Sequence, residues 1–191
     1  MQYVWLVVFW GAYFLHHSLF SAAGLKEKLI QKGFSLRTQR LAYSLISLIG
    51  LFLILLYNGI IGGEAILMDH RLLKAFALFL AASGVFIVRE AFKTYDFRAF
   101  VGLQNEENRN LEVTGILKHI RHPLYSATIL IFSGFFLYDS RLASLVTLMC
   151  VLTYLPIGIW LEEKKLVKKF GQEYLNYSNK VPMLIPSLKR R

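Results

Sequence analysis

Arg121-His122-Pro123-Leu124-Tyr125 and, further along, Glu162-Glu163 are the residues of this chain whose types and spacing can do chemistry. A guanidinium, an imidazole and two carboxylates can hold a ligand that carries both signs of charge, orient an acid, or take a proton. His16-His17-Ser18 adds a second possible base. The first two groups each open or close a long apolar stretch, and the third lies within one. Ionisable side chains are costly there, so such groups mark a functional site by default.

The elements that must position them are apolar helices. The chain has 191 residues, 55% hydrophobic and 18% charged, with mean hydropathy +0.47. A soluble domain carries about 25% charged residues, so the composition indicates an all-α integral membrane protein, a single domain over 1–191. The lone Cys150 allows no disulfide or cysteine-ligated metal framework within the chain, and no metal is expected. The apolar start lacks a basic leader and a convincing cleavage site, so it reads as a retained first span.

Spans need about 20 mostly apolar residues. Five stretches are expected to cross: 3–23, 41–61, 72–89, 124–138 and 142–161. The fourth is short, and Pro123 suits a first helical turn, so that span can begin at the motif itself. Pro156 should kink the fifth or free a carbonyl near the site. The 24–40 loop holds five Lys/Arg, the 89–123 segment six and the tail after 161 eight, against only Arg71, Lys74 and Arg141 elsewhere. By the positive-inside rule the N-terminus lies outside and the C-terminus is cytoplasmic. The net charge of +10 then reflects topology and anionic headgroups, so membrane lipids are partners and nucleic acid is not.

This orientation brings His16-His17-Ser18, Arg89-Glu90, Arg121-His122-Pro123 and Glu162-Glu163 to one cytoplasmic face. Beyond the fifth span, Leu166, Val167, Phe170, Tyr174 and Tyr177 recur on one stripe at helical period, opposite Lys164, Lys165, Lys168, Lys169 and Gln172. A C-terminal amphipathic helix is expected. Glu163 falls near the centre of the apolar stripe and needs a partner. That partner is either a cationic ligand or metal, or an ordinary protein base such as Arg121 or Arg89. The acidic and amide residues at 104–110, before the turn at Thr114-Gly115, form the one long connection, of a length that is usually functional. Lys189-Arg190-Arg191 reads as a solvated tail with headgroup contact, not a prenylation signal. No internal repeat is evident.

The pattern Gly115-(Xaa)5-Arg121-His122-Pro123-Xaa-Tyr125, then Leu161-Glu162-Glu163-(Xaa)2-Leu166-(Xaa)3-Phe170-Gly171-(Xaa)2-Tyr174-(Xaa)2-Tyr177-(Xaa)3-Val181-Pro182-(Xaa)3-Pro186, resembles the isoprenylcysteine carboxyl methyltransferase and phospholipid methyltransferase superfamily. His17-Ser18 and Arg40-Xaa-Xaa-Tyr43 are similar to bacterial methanethiol S-methyltransferases. They are also similar to nitrite and nitric oxide reductase-associated membrane proteins, whose relatives include a haem-dependent carotene isomerase.

The resemblance implies an enzyme that transfers a methyl group from S-adenosylmethionine at the cytoplasmic face of a bacterial or archaeal inner membrane. The acceptor would be a small thiol or a lipophilic molecule. The cofactor pocket would lie within about 115–186, built by His119, Arg121, His122, Pro123, Tyr125, Glu162 and Glu163, with Arg121 and His17 catalytic. The chemistry suits these residues. Glu163 can pair with a cationic group, Arg121 or His122 with a carboxylate, and Tyr125 can wall the adenine or sulfonium. The glycine-rich nucleotide fingerprint is absent from the sequence, so the membrane fold must replace it. A thiol acceptor must lose its proton, with help from His17, His119 or His122. A carboxylate needs no base and Arg121 could orient it; an amine must be neutral. The other reading is a haem-binding isomerase or redox accessory protein using His16/His17. A non-enzymatic scaffold or transporter would leave the Arg-His-Pro and Glu-Glu groups without a role. The sequence does not define the oligomeric state.

Overall fold

The computed structural model describes residues 1–21, 23–95, 97–101, 103 and 110–187. The 104–109 part of the acidic connection and the Lys189-Arg190-Arg191 tail therefore lie outside the described residues. Among the described residues the chain is helical and has no strand; one isolated antiparallel bridge joins Ala65 and Arg141. Its elements are α1 (Gln2–Ser21), α2 (Ala23–Gln31), α3 (Leu36–Ile61), α4 (Arg71–Thr94), the short α5 (Phe97–Phe100), a 3-10 turn (Gly115–Lys118), α6 (Pro123–Tyr138), α7 (Leu142–Phe170) and α8 (Gln172–Lys180).

Local signals explain the ends. Ser35 caps α3, its hydroxyl accepting from the Thr38 N–H at 3.1 Å. His70 caps α4 through Nδ1, accepting from the Leu72 N–H. Pro123 opens α6, where its missing N–H leaves no donor unpaired. Helix α7 runs on through Pro156 and stops at Gly171, whose φ of 56° favours glycine. The expected stripe therefore does not lie on one continuous helix. Instead α8 folds back after Gly171, and Tyr174, Tyr177 and Val181 pack against Leu166, Val167 and Phe170.

Among the described residues, four helices are long and apolar enough to cross a membrane: Gln2–Phe20, Leu36–Ile61, Arg71–Thr94 and Leu142–Phe170. Pro123–Tyr138 is a shorter apolar helix. Within those windows 44% of α7 is buried, against 11% for each of the other three, so α7 is the central helix. Helix α4 packs on α6, α6 on α7, α7 on α1, and α1 on α3. The α4–α6 contact is backbone to backbone: a Cβ at Gly84 would meet the Ala127 carbonyl oxygen at 2.8 Å, and one at Gly134 the Ala77 carbonyl oxygen at 2.6 Å. Small residues allow this approach where lipid supplies no hydrophobic drive.

On the far side of α7, Leu6, Trp10, Ile54, Ala143, Val151 and Leu155 form the core. A buried polar network ties α1, α3 and α7 at the end near Arg141. Trp10 Nε1 and Asn58 Nδ2 both donate to Thr147 Oγ1, at 3.2 and 2.8 Å, and Ser144 donates to Asp139 at 2.5 Å. Arg141 in turn grips Asp139 with two hydrogen bonds.

Candidate active site

The site lies at the other end of the bundle, where α6 begins and α7 runs past it. Glu163 Oε1 is its hub. Arg121 donates to it from Nε at 3.0 Å and Nη2 at 2.7 Å, His122 Nε2 lies 3.0 Å away, and the Tyr174 hydroxyl donates at 3.2 Å. Arg121 Nη1 also donates to the carbonyls of Ser178 at 2.7 Å and Val181 at 2.6 Å. All but one of the guanidinium N–H donors are thus committed within the protein. Of the two readings for Glu163, the protein partner is present, and it is Arg121. Arg89 pairs with Glu90, which also binds Lys93.

The C-terminal segment is tied to this hub. The N–H groups of Arg121 and His122 donate to the carbonyls of Pro182 and Met183, and the Ser126 hydroxyl donates to that of Leu184. Tyr177 donates to the Leu117 carbonyl at 2.8 Å. Burial, partly offset by Arg121, pushes the Tyr177 phenol up to about 12. Burial and then the Glu163 charge push the Tyr174 phenol up as well. Both phenols therefore stay protonated donors. Gly115 lets the preceding turn close: its φ is 52°, and a Cβ there would meet Thr94 Oγ1 at 2.6 Å.

Glu162 has a different setting. Its side chain is 46% exposed, and its ion-pair neighbour among the described residues is His122 Nδ1 at 4.0 Å. Tyrosines face it from four elements. Tyr125, Tyr43, Tyr95 and Tyr174 all lie in its field. The Tyr125 ring reaches this position because residue 158 is glycine; a Cβ there would meet the Tyr125 oxygen at 3.2 Å. Tyr125 also meets the His122 ring edge-on at 5.5 Å.

Helix α1 completes the cluster. Tyr43 Oη bonds to His17 Nδ1 and lies 3.3 Å from Nε2. Ser18 Oγ and the Tyr154 hydroxyl are 2.9 Å apart, and Phe14 stacks on Tyr154 at 4.1 Å. His16 Nε2 is buried with no hydrogen-bond partner.

The structure thus brings together Arg121, His122, Pro123, Tyr125, Glu162 and Glu163, with His17 beyond Tyr43 on α1. His119 does not join them; it is exposed at the end of the 3-10 turn. Tyr154 and Gly158 escaped sequence reasoning, although Tyr154, Gly158 and Glu162 recur every four residues and so share one face of α7. For Tyr95 no sequence signal was at hand.

A helical bundle with lipid-length apolar segments and a charged, tyrosine-rich cluster at one end defines a membrane-type protein with a candidate site there. The chain belongs to the phospholipid methyltransferase family, whose model matches residues 72–173. It is similar to the methanethiol S-methyltransferase of Pseudomonas deceptionensis, 39% identical over 75 residues, or 39% of this chain and 28% of that protein. The methanethiol S-methyltransferase of Crocosphaera subtropica is 38% identical over 74 residues, 39% of this chain and 28% of that protein. The chain spans only about a quarter of the length of these curated relatives. No solved structure matches it.

Proposed function

We propose that this chain is an integral-membrane methyltransferase that uses S-adenosylmethionine and methylates a small thiol or lipophilic acceptor at the cytoplasmic face. Glu162 carries the reading. It is a half-exposed carboxylate faced by phenols, beside a Glu163 already neutralised by Arg121. A cationic ligand fits such a position, since carboxylate and aromatic faces both attract it. Family membership supports a sulfonium methyl donor as that cation, and the names of the two relatives favour a thiol acceptor.

The donor's fit rests on this pairing of open and occupied carboxylates. Glu162, His122, Pro123 and Tyr125 would hold it, with Tyr174 and the C-terminal segment as cover. When bound, S-adenosylmethionine supplies a methyl group on a positively charged sulfur. The protein's contribution is alignment, exclusion of water and removal of any acceptor proton. Arg121 acts through Glu163, holding His122 and the segment from Ser178 to Val181 in register over the site. His17, on α1, is the group that takes a proton. Family membership favours methyl transfer over the haem reading of His16 and His17.

In this reading α6 is a fifth span. Its 16 residues rise only about 24 Å against a hydrocarbon core of about 30 Å, so its first turn sits at the membrane edge with the charged hub. The N-terminus then lies outside and the site cytoplasmic, as the distribution of basic residues supports. The whole of 1–191 forms one domain, with the donor part within about 115–186.

The test is methyl transfer from labelled S-adenosylmethionine by protein in vesicles, offered a short thiol, a prenylcysteine and a phospholipid amine in turn. Methylation of one class with matching S-adenosylhomocysteine release is expected. Donor binding without transfer to any of the three would refute the proposed acceptor classes.

A further inference from the structure

Two features of the site bear on what the acceptor must be. The first is a cation that is spoken for. A carboxylate acceptor needs a positive group to orient it, and Arg121 is the cation at the hub. Its guanidinium is committed to Glu163 and to the carbonyls of Ser178 and Val181. The second is a base on α1. His17 is held at Nδ1 by the Tyr43 hydroxyl and flanked by Tyr13 and Tyr154, their ring centroids 6.4 and 6.2 Å from its own. A carboxylate acceptor has no use for a base, whereas a protic acceptor must be deprotonated before it attacks.

Resting on the proposed methyl transfer, we infer that Tyr43 is a positioning residue that holds His17 as the base for a thiol acceptor. In the tautomer the inference requires, Nδ1–H donates to the Tyr43 oxygen, the nearer of its two contacts with the ring, and the lone pair lies on Nε2, 3.3 Å from that oxygen. The acceptor S–H bond breaks and its proton passes to Nε2. The thiolate pair forms the new sulfur–carbon bond. The bond between the methyl group and the sulfonium donor breaks, and that pair stays on the donor sulfur. A simple alkanethiol is a weaker acid than the cysteine thiol, whose ordinary pKa is about 8.5, so this base is needed near neutral pH and becomes dispensable only in strongly alkaline solution.

The groups facing His17 are His16 and Tyr13 on its own helix, Tyr43 on α3, and Tyr154 and Lys165 on α7; Glu162 faces Tyr43 from α7. His16 is the other imidazole beside Tyr43, its ring centroid 5.7 Å away, but the hydrogen bond of the Tyr43 hydroxyl is with His17.

The experiment compares wild type, His17→Gln and Tyr43→Phe with ethanethiol as probe, recording kcat and KM from pH 6 upward. His17→Gln is expected to lower kcat about 100-fold near neutrality, with the defect shrinking as the thiol ionises by itself. Tyr43→Phe should cost about tenfold in kcat with KM little changed, and should move the acid limb to lower pH because the imidazolium loses an acceptor. A second readout changes the acidity of the acceptor. Thiophenol, already ionised near neutral pH, needs no base, so His17→Gln should methylate it nearly as fast as wild type while still binding S-adenosylhomocysteine. A defect constant with pH, or one equally large with thiophenol, overturns the inference. So does a wild type that methylates an amine or a carboxylate but no thiol, although methyl transfer itself then stands. No binding of S-adenosylhomocysteine by wild type would instead overturn the underlying reading.

Discussion

Arg121→Lys separates the clamp from the rest of the bundle. Arginine here makes two hydrogen bonds to Glu163 and two to the carbonyls of Ser178 and Val181. Its side chain is only 10% exposed. A lysine offers a point charge and cannot span both partners. Removing one partner of a buried pair costs about 3–5 kcal/mol. Glu163 keeps His122 and Tyr174, and lysine keeps the charge, so about 2–3 kcal/mol is expected for this site. At about 1.4 kcal/mol per factor of ten, local opening of the C-terminal segment should rise roughly 30- to 100-fold. Hydrogen exchange in detergent reads this directly at the N–H groups of His122 and Val181, which donate to Met183 and Tyr177. Amides of α1 and α3 should be unaffected. Unchanged exchange at His122 and Val181 would refute the clamp, and an equal rise throughout α1 and α3 would show that Arg121 supports the whole fold instead.

Gly134→Val places a side chain against the Ala77 carbonyl oxygen, 2.6 Å from the ideal Cβ, and should destabilise the protein by about 1–3 kcal/mol in detergent unfolding. Gly11→Ala, with nothing within 4 Å, is the matched control and should change little. Asp139 lies in the turn between α6 and α7. Burial alone would raise its carboxyl, but hydrogen bonds from Arg141 and Ser144, aided by the Arg141 charge, hold it below the usual range. Its contribution to stability is therefore complete above the unfolded carboxylate value of about 3.9 and is lost as pH falls through the lowered native value. Asp139→Asn should flatten that acid-side loss in a pH series of unfolding midpoints; an unchanged acid slope would count against the pairing.

Four of the five expected spans were legible as helices long and apolar enough to cross, because lipid demands long apolar runs. Pro123 marked the start of the shorter α6 because its geometry suits a first turn. The meeting of Arg121 and His122 with Glu163 could be anticipated in kind, since a carboxylate on an apolar stripe needs a partner. That Arg121 would also take the carbonyls of Ser178 and Val181 was not legible. It depends on the reversal at Gly171, and a stripe drawn at constant helical period runs straight through that residue. Distinguishing Glu162 from Glu163 needed the structure as well. Adjacent residues on one helix point about 100° apart, and only the placement of α6 shows which of them meets the guanidinium. The close α4–α6 approach hid in Gly84 and Gly134, whose value lies in atoms they lack.

Calorimetric titration of S-adenosylmethionine and S-adenosylhomocysteine into wild type and Glu162→Gln, with a visible spectrum of each sample, bears on donor binding itself. Saturable binding to wild type without a haem band is expected, weakened about tenfold in Glu162→Gln through loss of a charged hydrogen-bond partner of about 1.5 kcal/mol. A folded wild type that binds neither compound, above all one carrying a haem band, would contradict the assignment of this site to a methyl donor.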